Sequence, residues 1–278
     1  MLENRPGVRD SGPVRATEFT ERYGPYAVVA GGSEGLGAAF ADGIARRGVS
    51  LVLLARRGEQ LTATAERLRA AHKIDVRTIV ADMADVDDVK KRIAALDLAI
   101  GLLVYDAAYA PIGPFEDVTE DQLAQAAAVN VRGPLLLTKL LSAPMIARGR
   151  GGIVLMSSLA GSQGSPNIAT YAATKAFNAI LAEGLWRELK PRGVDVLACM
   201  AGAILTPGYQ QAEGGAKPAP GTLTAEAVAE QTLEALARGR GPIVIPGAVN
   251  KLGRFVLTRL LSRRAAIAIM SKNTEGLS

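Results

Sequence analysis

The sequence predicts a single doubly wound α/β domain, with a parallel β-sheet of about seven strands and helices on both of its faces. Short runs of continuous apolar residues, typical of strands buried on both sides, alternate along the chain with longer segments of helical periodicity. The 278 residues contain no internal repeat and no obvious linker. One domain built on one sheet therefore accounts for the pattern better than two domains do.

The apolar runs are the strands of the predicted sheet. They cover residues 26–30, 50–55, 76–81, 100–105, 153–157, 194–199 and 242–245. Helical patterns lie between them, up to residue 47, over 58–71 and 85–96, before the fifth strand, over 171–190 and from 225 onward. Because a helix-length crossover joins successive strands, we expect the strands to run parallel.

Three regions of the chain differ in composition. Residues 1–23 form a polar extension without the apolar core of a signal peptide, 24–247 hold the Rossmann-type α/β domain, and 248–278 form a basic amphipathic tail. Residues 207–221 are rich in Pro and Gly, which predicts a mobile loop. No run reaches the roughly 18 apolar residues of a membrane span, so we expect no transmembrane segment.

Composition also excludes several kinds of site. The single cysteine, Cys199, excludes an intramolecular disulfide and a cysteine-rich metal site, and its apolar surroundings are typical of a buried side chain. The single histidine, His72, excludes a histidine metal cluster, and a Ser-His-Asp triad would have to use it. We therefore expect no bound metal, and a reducing, cytoplasmic location fits the cysteine usage.

The positive charge is concentrated in the tail. Residues 250–278 contain six basic residues and one acidic residue, which accounts for the whole formal net charge of +5. The rest of the chain is close to neutral, so we do not expect it to bind nucleic acid. Apolar residues at helical spacing over 252–270 fit peripheral membrane contact or a hydrophobic substrate entrance. They also fit a helix packed on the domain or on a second subunit, which we prefer because amphipathicity alone discriminates poorly.

A glycine cluster, AGGSEGLG at residues 30–37, follows the first predicted strand and opens into a helix. Gly31, Gly35 and Gly37 have GxxxGxG spacing. Glycines at such a turn let the backbone approach a pyrophosphate, towards which the amides of the helix N-terminus point. A tight turn with close helix packing is the alternative, but the position directly after a buried strand favours a dinucleotide site.

A second motif combines a serine, a tyrosine and a lysine. Tyr171 and Lys175 are four residues apart, which places both on one face of a helix. An ammonium near a phenol favours the phenolate and so suits proton transfer. Ser158 precedes Tyr171 by thirteen residues, at the end of a predicted strand, where parallel sheets bind ligands. An interfacial serine and a solvated lysine are the alternative, which the joint spacing makes the weaker one.

In this order and spacing, the motifs resemble those of the short-chain dehydrogenase/reductase family over about residues 26–206. The resemblance implies a nicotinamide-dependent oxidoreductase that interconverts a carbonyl and a secondary alcohol. In the reductive direction Ser158 would bind the carbonyl oxygen and Tyr171 would donate the proton. Lys175 would hold the nicotinamide ribose and assist Tyr171, and Asn130, in AVNVRGP, would hold a water that resupplies the proton.

The end of the second predicted strand indicates which cofactor binds. Dinucleotide-binding domains usually carry an acidic residue there, which binds the ribose 2′-hydroxyl and would repel a 2′-phosphate. Arg56 and Arg57 stand at this place and favour NADP(H) over NAD(H), although two solvated arginines are the alternative. Glu34, an acidic residue in the glycine cluster, argues against NADP(H). The cofactor contacts that the resemblance implies are Gly31, Ser33, Gly35, Leu36, Gly37, Arg56, Arg57, Asp82, Met83, Ala107, Lys175 and Thr206.

The chain departs from the family pattern in two places. The stretch after the fourth strand reads YDAA at 105–108 where the family has NNAG, and Ala201 replaces a proline, while Gly202 and Thr206 are retained. These changes leave the catalytic set intact and bear on how tightly the cofactor binds.

Three classes of function remain open at this stage. A carbonyl reductase or alcohol dehydrogenase has the support of the full catalytic set. A non-catalytic nucleotide-binding protein on the same fold is the second class, and a sugar-nucleotide epimerase or dehydratase, which needs a larger C-terminal substrate domain, is the third. The apolar loop at residues 207–221 suggests a hydrophobic small-molecule substrate. The resemblance suggests a homodimer or homotetramer.

Overall fold

The structure, a computed structural model, describes residues 15–206, 219–272 and 274. Its helices are α1 Ala16–Tyr23, α2 Gly35–Ala45, α3 Gly58–His72, α4 Val86–Ala95, α5 Glu120–Ala127, α6 Gly133–Arg148, α7 Ala169–Leu189, α8 Ala225–Ala237, α9 Ala248–Phe255 and α10 Arg263–Ser271. Its strands are β1 Tyr26–Ala30, β2 Ser50–Ala55, β3 Val76–Val80, β4 Ile100–Tyr105, β5 Gly151–Ser158, β6 Val194–Ala201, β7 Ile204–Leu205, β8 Leu223–Thr224 and β9 Ile243–Val244.

Seven of these strands form one parallel sheet in the order β3-β2-β1-β4-β5-β6-β9, which confirms the predicted fold class. Strands β7 and β8 pair separately. The chain winds outward from β1 in one direction and from β4 in the other. A crevice forms at such a reversal, outside the carboxyl ends of the strands, and it is where ligands bind in open α/β sheets.

The sheet is covered on both faces, as the continuous apolar strands require. In β1, Ala27 and Val29 point into one core cluster, which contains side chains of α1, α2, α3 and α8. Val28 and Ala30 point into the other cluster, with α4, α6 and α7. Alternate residues of a strand point to opposite faces, so every residue from 27 to 30 is buried.

The packed domain begins earlier than residue 24. Helix α1 lies within the segment that composition assigns to a polar extension, and its Phe19 and Tyr23 are buried in the core. Tyr23 Oη lies 2.8 Å from Asp195 Oδ2, and Arg22 Nη2 lies 2.5 Å from the same oxygen. Two aromatic side chains in an otherwise polar stretch are enough to anchor this helix. Residues 1–14 of the predicted extension, and 207–218 of the predicted loop, lie outside the described residues.

Two further differences bear on the site. Strands β5 and β6 extend to Ser158 and Ala201, beyond the predicted ends at 157 and 199, so both strands reach the ligand-binding edge. Between α5 and α6 the chain forms a π-helical turn, Ala128–Arg132, which contains Asn130. Such turns are frequent at functional sites because they redirect the backbone within a continuous helix.

Candidate active site

A cleft of about 560 Å³ opens at the carboxyl edge of the sheet, where the strand order reverses. Of the residues expected in the site from the sequence, Gly37 and Asn130 do not line it. Those that do line it are Gly31, Ser33, Gly35, Leu36, Arg56, Arg57, Asp82, Met83, Ala107, Ser158, Tyr171, Lys175 and Thr206. The fold therefore brings the glycine loop and the Ser–Tyr–Lys set to one cavity.

The glycine loop is shaped for a close approach of backbone to ligand. Gly31 has a φ of +92°, and a Cβ there would lie 2.8 Å from the Ala107 nitrogen. A Cβ at Gly37 would collide with the carbonyl oxygen of Gly31, which explains why Gly37 is required without lining the cleft. Helix α2 starts at Gly35, and Gly35 and Leu36 of its first turn line the cavity. This cradle fits the pyrophosphate of a dinucleotide.

Lys175 is held in place between α7 and β5. Its side chain is buried, with 4% of its surface exposed, and its Nζ donates to the Met156 carbonyl at 3.1 Å. The Nζ lies 5.4 Å from the centroid of the Tyr171 ring. Ser157 Oγ donates to the Lys175 carbonyl at 2.7 Å and ties the first turns of α7 to the strand. The lysine therefore has a fixed position beside the tyrosine.

Ser158 ends β5 and faces the cleft. Its Oγ accepts a hydrogen bond from the Ala160 amide at 3.2 Å. A hydroxyl has one donor and two acceptor positions, so the O–H of Ser158 can still donate to a ligand oxygen. Tyr171 lines the same cavity.

Asn130 supports the site from behind. Its Oδ1 accepts from the Tyr109 amide at 2.8 Å, and its Nδ2 donates to the Tyr109 carbonyl at 2.6 Å and to Thr174 Oγ1 at 3.1 Å. Its main-chain oxygen accepts from Asn178 Nδ2 at 3.1 Å. The side chain therefore braces the loop after β4 against α7, and the water-holding role implied by the resemblance stays a prediction.

The far end of the cleft carries the charges that discriminate between cofactors. Arg57 forms an ion pair with Glu34, and Gln60 Nε2 donates to the same carboxylate at 3.0 Å. Arg56 is exposed at the cleft and makes no ion pair with a residue that the structure describes. Glu34, the acidic residue that argues against NADP(H), is thus offset by Arg57, while the charge of Arg56 is available to a ligand.

The YDAA stretch braces the sheet in its own way. Tyr105 is buried and donates from its hydroxyl to the Val129 carbonyl at 2.6 Å, and a Cβ at Gly133 would collide with that hydroxyl. The amides of Asp106 and Ala107 both donate to the Ala30 carbonyl, at 2.9 and 2.8 Å. Strand β4 is therefore still tied to the π turn and to the glycine loop.

Asp106 adds a carboxyl group to the cleft. It accepts a hydrogen bond from the Gly37 amide and lies within the electrostatic reach of Lys175. Burial raises the pKa of this carboxyl to about 6, although Lys175 and the Gly37 amide act in the opposite direction. The group is thus ionised above about pH 6.

Sequence reasoning missed several wall residues of the cleft. They are Tyr109, Gln125, Val129, Met156, Ser157 and Ile204. Met156 and Ser157 lie near the carboxyl end of β5, and the carboxyl ends of parallel strands are the signal that could have identified them.

The tail packs on the domain beside the cleft. Asn250 of α9 is buried and donates to the Gly221 and Pro246 carbonyls, each at 3.0 Å. A Cβ at Gly202 would come 2.8 Å from Asn250 Oδ1. Farther along, Arg263 Nη1 donates to the Ser162 carbonyl at 2.7 Å. The tail therefore covers the region between β6 and the turn after Ser158.

Other kinds of site find no support in the described part of the chain. No three His, Cys, Asp or Glu side chains come together there as a metal site, and no helix is both long and apolar enough to span a bilayer. Cys199 is buried against Thr232 Oγ1 at 3.2 Å, and burial raises the pKa of its thiol to about 12. Such a thiol does not act as a nucleophile.

Sequence comparison identifies relatives of the chain. The sequence model of a family described as short chain dehydrogenase matches residues 25–216. A 7β-hydroxysteroid dehydrogenase of Clostridium sardiniense is 32% identical over 190 residues, 68% of this chain and 73% of that protein. A very-long-chain 3-oxoacyl-CoA reductase of Aspergillus clavatus is 34% identical over 178 residues, 62% of this chain and 52% of that protein. The chain thus spans about half the length of this reductase.

Solved structures show the same architecture. A structure of a 7β-hydroxysteroid dehydrogenase superposes with a TM-score of 0.83 at 27% identity, covering 91% of this chain and 98% of the other. A short-chain dehydrogenase from Sphingobium yanoikuyae in complex with NADPH superposes with a TM-score of 0.74 at 30% identity, covering 81% of this chain and 88% of the other. The similarity to the first structure covers nearly the full length of both chains.

Proposed function

The chain belongs to the short-chain dehydrogenase family of oxidoreductases, and on this premise we propose that it is an NADP(H)-dependent enzyme that interconverts a carbonyl and a secondary alcohol on a hydrophobic substrate. The observation that carries the proposal is the single cleft that Ser158, Tyr171 and Lys175 share with the glycine loop. A binding protein would need the loop alone. The buried, hydrogen-bonded Lys175 beside a tyrosine supports proton transfer in addition to cofactor binding.

The chain's own residues bind the carbonyl and move the proton. The Ser158 hydroxyl donates to the carbonyl oxygen of the substrate, and the Tyr171 hydroxyl gives that oxygen its proton. Lys175 stabilises the tyrosinate that is left, because an ammonium favours a nearby phenolate. The cofactor, when bound, supplies the hydride. Asn130 holds the loop after β4 against helix α7. A water bound beside Asn130 would return the proton to Tyr171.

The lining of the cleft supports a hydrophobic substrate. Met156, Val129, Ile204 and Tyr109 line the cleft that also contains Ser158. Relatives of this chain are named as 3-oxoacyl-CoA reductases and hydroxysteroid dehydrogenases. We therefore propose that the substrate is a ketone on a largely apolar framework.

The function is tested by following NADPH consumption with a panel of carbonyl compounds. The panel contains oxosteroids, 3-oxoacyl thioesters of several chain lengths, small aliphatic ketones and a ketose. Consumption that rises with the apolar surface of the ketone supports the proposal. Consumption with the ketose alone would contradict the hydrophobic substrate class.

Reversing the charge of Arg56 is expected to change the cofactor preference. Arg56→Asp should weaken NADPH binding by about 10–100-fold, because a charge-assisted hydrogen bond contributes about 1.5–3 kcal/mol and 1.4 kcal/mol corresponds to a factor of ten. NADH binding should be unchanged or tighter, since the carboxylate can bind a 2′-hydroxyl. Titration followed by cofactor fluorescence measures both constants.

Arg187→Asp is the matched control for this variant. Arg187 is exposed on α7 and does not line the cleft, so the same change in net charge should leave the ratio of the two constants unaltered. The proposal fails if the wild type binds NADH as tightly as NADPH and Arg56→Asp changes neither constant. Arg56 and Arg57 would then be solvent-exposed residues without a role in cofactor binding.

The tail supports a proposal about partners. Val249, Leu252 and Phe255 of α9 and Leu260 of the π-helical turn after it, which we call the tail stripe, are exposed, and Leu252 and Phe255 lie on the side of α9 away from the buried Asn250. Six basic residues lie in the same segment, 250–278. A membrane surface with anionic lipids would attract these charges and take up the apolar side chains, so it is the partner that we propose. Two copies meeting through this surface would bring like charges together. Assembly into a homodimer or homotetramer, and a cytoplasmic location, stay predictions.

Substitutions in the tail stripe are expected to abolish binding of the protein to lipid vesicles. Wild-type protein should sediment with vesicles of phosphatidylcholine and phosphatidylserine and less with phosphatidylcholine alone, and the double variant Leu252→Glu, Phe255→Glu should stay in solution. Ile180→Glu, at an equally exposed apolar residue of α7, should still sediment. If the double variant instead halves the molar mass measured by light scattering, a second copy covers the stripe and the membrane proposal fails.

A further inference from the structure

We propose that Asn167 is a positioning residue that ties the first turn of helix α7, which carries Tyr171, to the tail, so that helix α10 helps to fix the place of the proton donor. The proposal rests on the proposed function, in which Tyr171 exchanges the proton. It gives the tail a part in catalysis that is separate from its proposed contact with a membrane.

Helix α7 begins without a side-chain cap. Its N-cap residue is Ile168, whose side chain makes no hydrogen bond to the first turn. Tyr171 is the third residue of the helix, so it lies in the turn whose amides have no intrahelical acceptor. The bonds that fix Lys175 lie one turn farther along. Because an uncapped helix end frays, another contact has to hold this turn if Tyr171 is to keep one position.

Asn167, the residue before the cap, is bound from two sides. Its Nδ2 donates to the Thr274 carbonyl in the tail at 3.0 Å, and its own carbonyl accepts from the Gly113 amide at 2.9 Å. Its φ of +61° lies in the left-handed region, which few residues other than glycine, asparagine and aspartate adopt readily. Asparagine thus combines the required backbone turn with an amide donor that reaches the tail.

Thr274 is itself fixed to helix α10. It is 5% exposed, and both its amide and its hydroxyl donate to the Ser271 carbonyl, at 2.9 and 3.2 Å. Ala266 of the same helix is buried and belongs to neither of the two core clusters that flank the sheet. Helix α10 therefore packs against the domain through one side, and Thr274 offers its carbonyl at a defined place.

The two ends of α10 contact the segment 159–170, which joins the serine of the site to the tyrosine. At the start of the helix, Arg263 Nη1 donates to the Ser162 carbonyl at 2.7 Å. Beyond its end, Thr274 accepts from Asn167. The tail thus holds the segment at two points, one close to the serine and one close to the tyrosine.

The polar side chains between these two points do not hold the segment. Gln163 and Ser165 are each 4% exposed, yet neither the amide group of Gln163 nor the hydroxyl of Ser165 has a hydrogen-bond partner among the residues that the structure describes. Buried polar groups without a partner do not stabilise the place that they occupy. Contacts from outside, such as those of Asn167 with the tail and with Gly113, therefore have to hold this part of the segment.

The position of Tyr171 matters for the rate because proton transfer depends on geometry. A misplacement of about 1 Å can cost about 10²-fold in rate. A loosened first turn of α7 would spread the Tyr171 hydroxyl over several positions and lower kcat. The glycine loop belongs to β1 and α2, which the tie does not involve, so the affinity for NADPH should stay the same.

The experiment is a double-mutant cycle. Asn167→Gly keeps the left-handed backbone and removes the amide donor. Ala266→Glu places a carboxylate at a buried position of α10 and so detaches the helix from the domain. Each variant should lower kcat for ketone reduction about tenfold, part of the loss expected for a full displacement. The NADPH dissociation constant and the number of NADPH sites per chain should be those of the wild type.

The double variant shows whether the two residues act through one link. It should be no slower than the slower single variant, because either substitution alone already breaks the tie between α7 and the tail. Ala268→Glu is the matched control for the tail substitution. It introduces the same charge at an exposed residue of α10 and should leave kcat unchanged.

Hydrogen exchange followed by mass spectrometry tests the tie without turnover. Peptides that cover residues 159–172 should exchange faster in Asn167→Gly and in Ala266→Glu than in the wild type and in Ala268→Glu, because the first turn of α7 opens more often. If the wild type proves inactive on every ketone, the exchange rates still decide whether the tail holds this turn, while the proposed function fails.

Three results would overturn the proposal. Unchanged exchange of these peptides in Ala266→Glu would mean that the tail does not hold the first turn of α7. Faster exchange with an unchanged kcat would mean that the tie does not position Tyr171. A double variant whose loss equals the product of the two single losses would mean that Asn167 and the tail act independently.

Discussion

Replacing Tyr171 with phenylalanine is expected to lower turnover in both directions by about 10²–10⁴-fold, the range that positioned acid–base catalysis contributes. The ring beside Lys175 is kept, and only the hydroxyl that we propose exchanges the proton is removed. NADPH binding should therefore be unchanged. Steady-state rates with the best ketone of the panel, together with a fluorescence titration of NADPH, measure the two quantities separately.

Tyr109→Phe is the matched control for the loss of a phenolic hydroxyl. Tyr109 lines the same cleft, and its contacts with Asn130 use its backbone, which the substitution leaves in place. Its turnover should stay within a small factor of the wild type. Equal activity of the Tyr171→Phe protein would show that another group delivers the proton.

Replacing Lys175 with methionine should have the second largest effect, and it should act on both binding and turnover. In its proposed roles the ammonium stabilises the tyrosinate and holds the nicotinamide ribose, so we expect a fall of about 10²-fold or more in kcat/KM and weaker NADPH binding. Methionine retains the unbranched stem, and replacing a buried charge with an apolar group of similar size is often neutral or stabilising for a fold. The melting temperature should therefore not fall.

Lys139→Met provides the reference for this substitution. Lys139 is exposed on α6 and does not line the cleft, so activity and cofactor affinity should be unchanged. If Lys175→Met lost affinity while kcat stayed the same, the lysine would bind the cofactor without assisting Tyr171.

Much of the fold could be predicted because the central strands are buried on both sides. The run at residues 51–55 contains no polar residue, as expected when helices cover both faces, so the strand is visible in the sequence itself. The convergence of Ser158 with the glycine loop also follows, since the carboxyl ends of parallel strands share one edge. The strand ends therefore predict where the cleft lies, but they do not predict which other side chains line it.

Contacts between distant elements could not be predicted in this way. No local pattern reveals that the Asn130 side chain is engaged by Tyr109 and Thr174, because those bonds depend on the π turn. Helix α1 reads as polar, although two of its side chains fill the core from outside the predicted domain. The sequence likewise does not show which apolar residues of α9 are exposed, because that depends on the side of the helix that Asn250 turns to the domain.

Transfer of deuterium from reduced cofactor to product tests the central claim most directly. NADPH that carries deuterium at the transferable position is incubated with the protein and a hydrophobic ketone, and the alcohol is analysed by mass spectrometry. We predict one deuterium on the carbinol carbon, with far slower incorporation by Tyr171→Phe. Tight NADPH binding without deuterium in any product of the panel would contradict the account and identify the chain as a nucleotide-binding protein on an oxidoreductase fold.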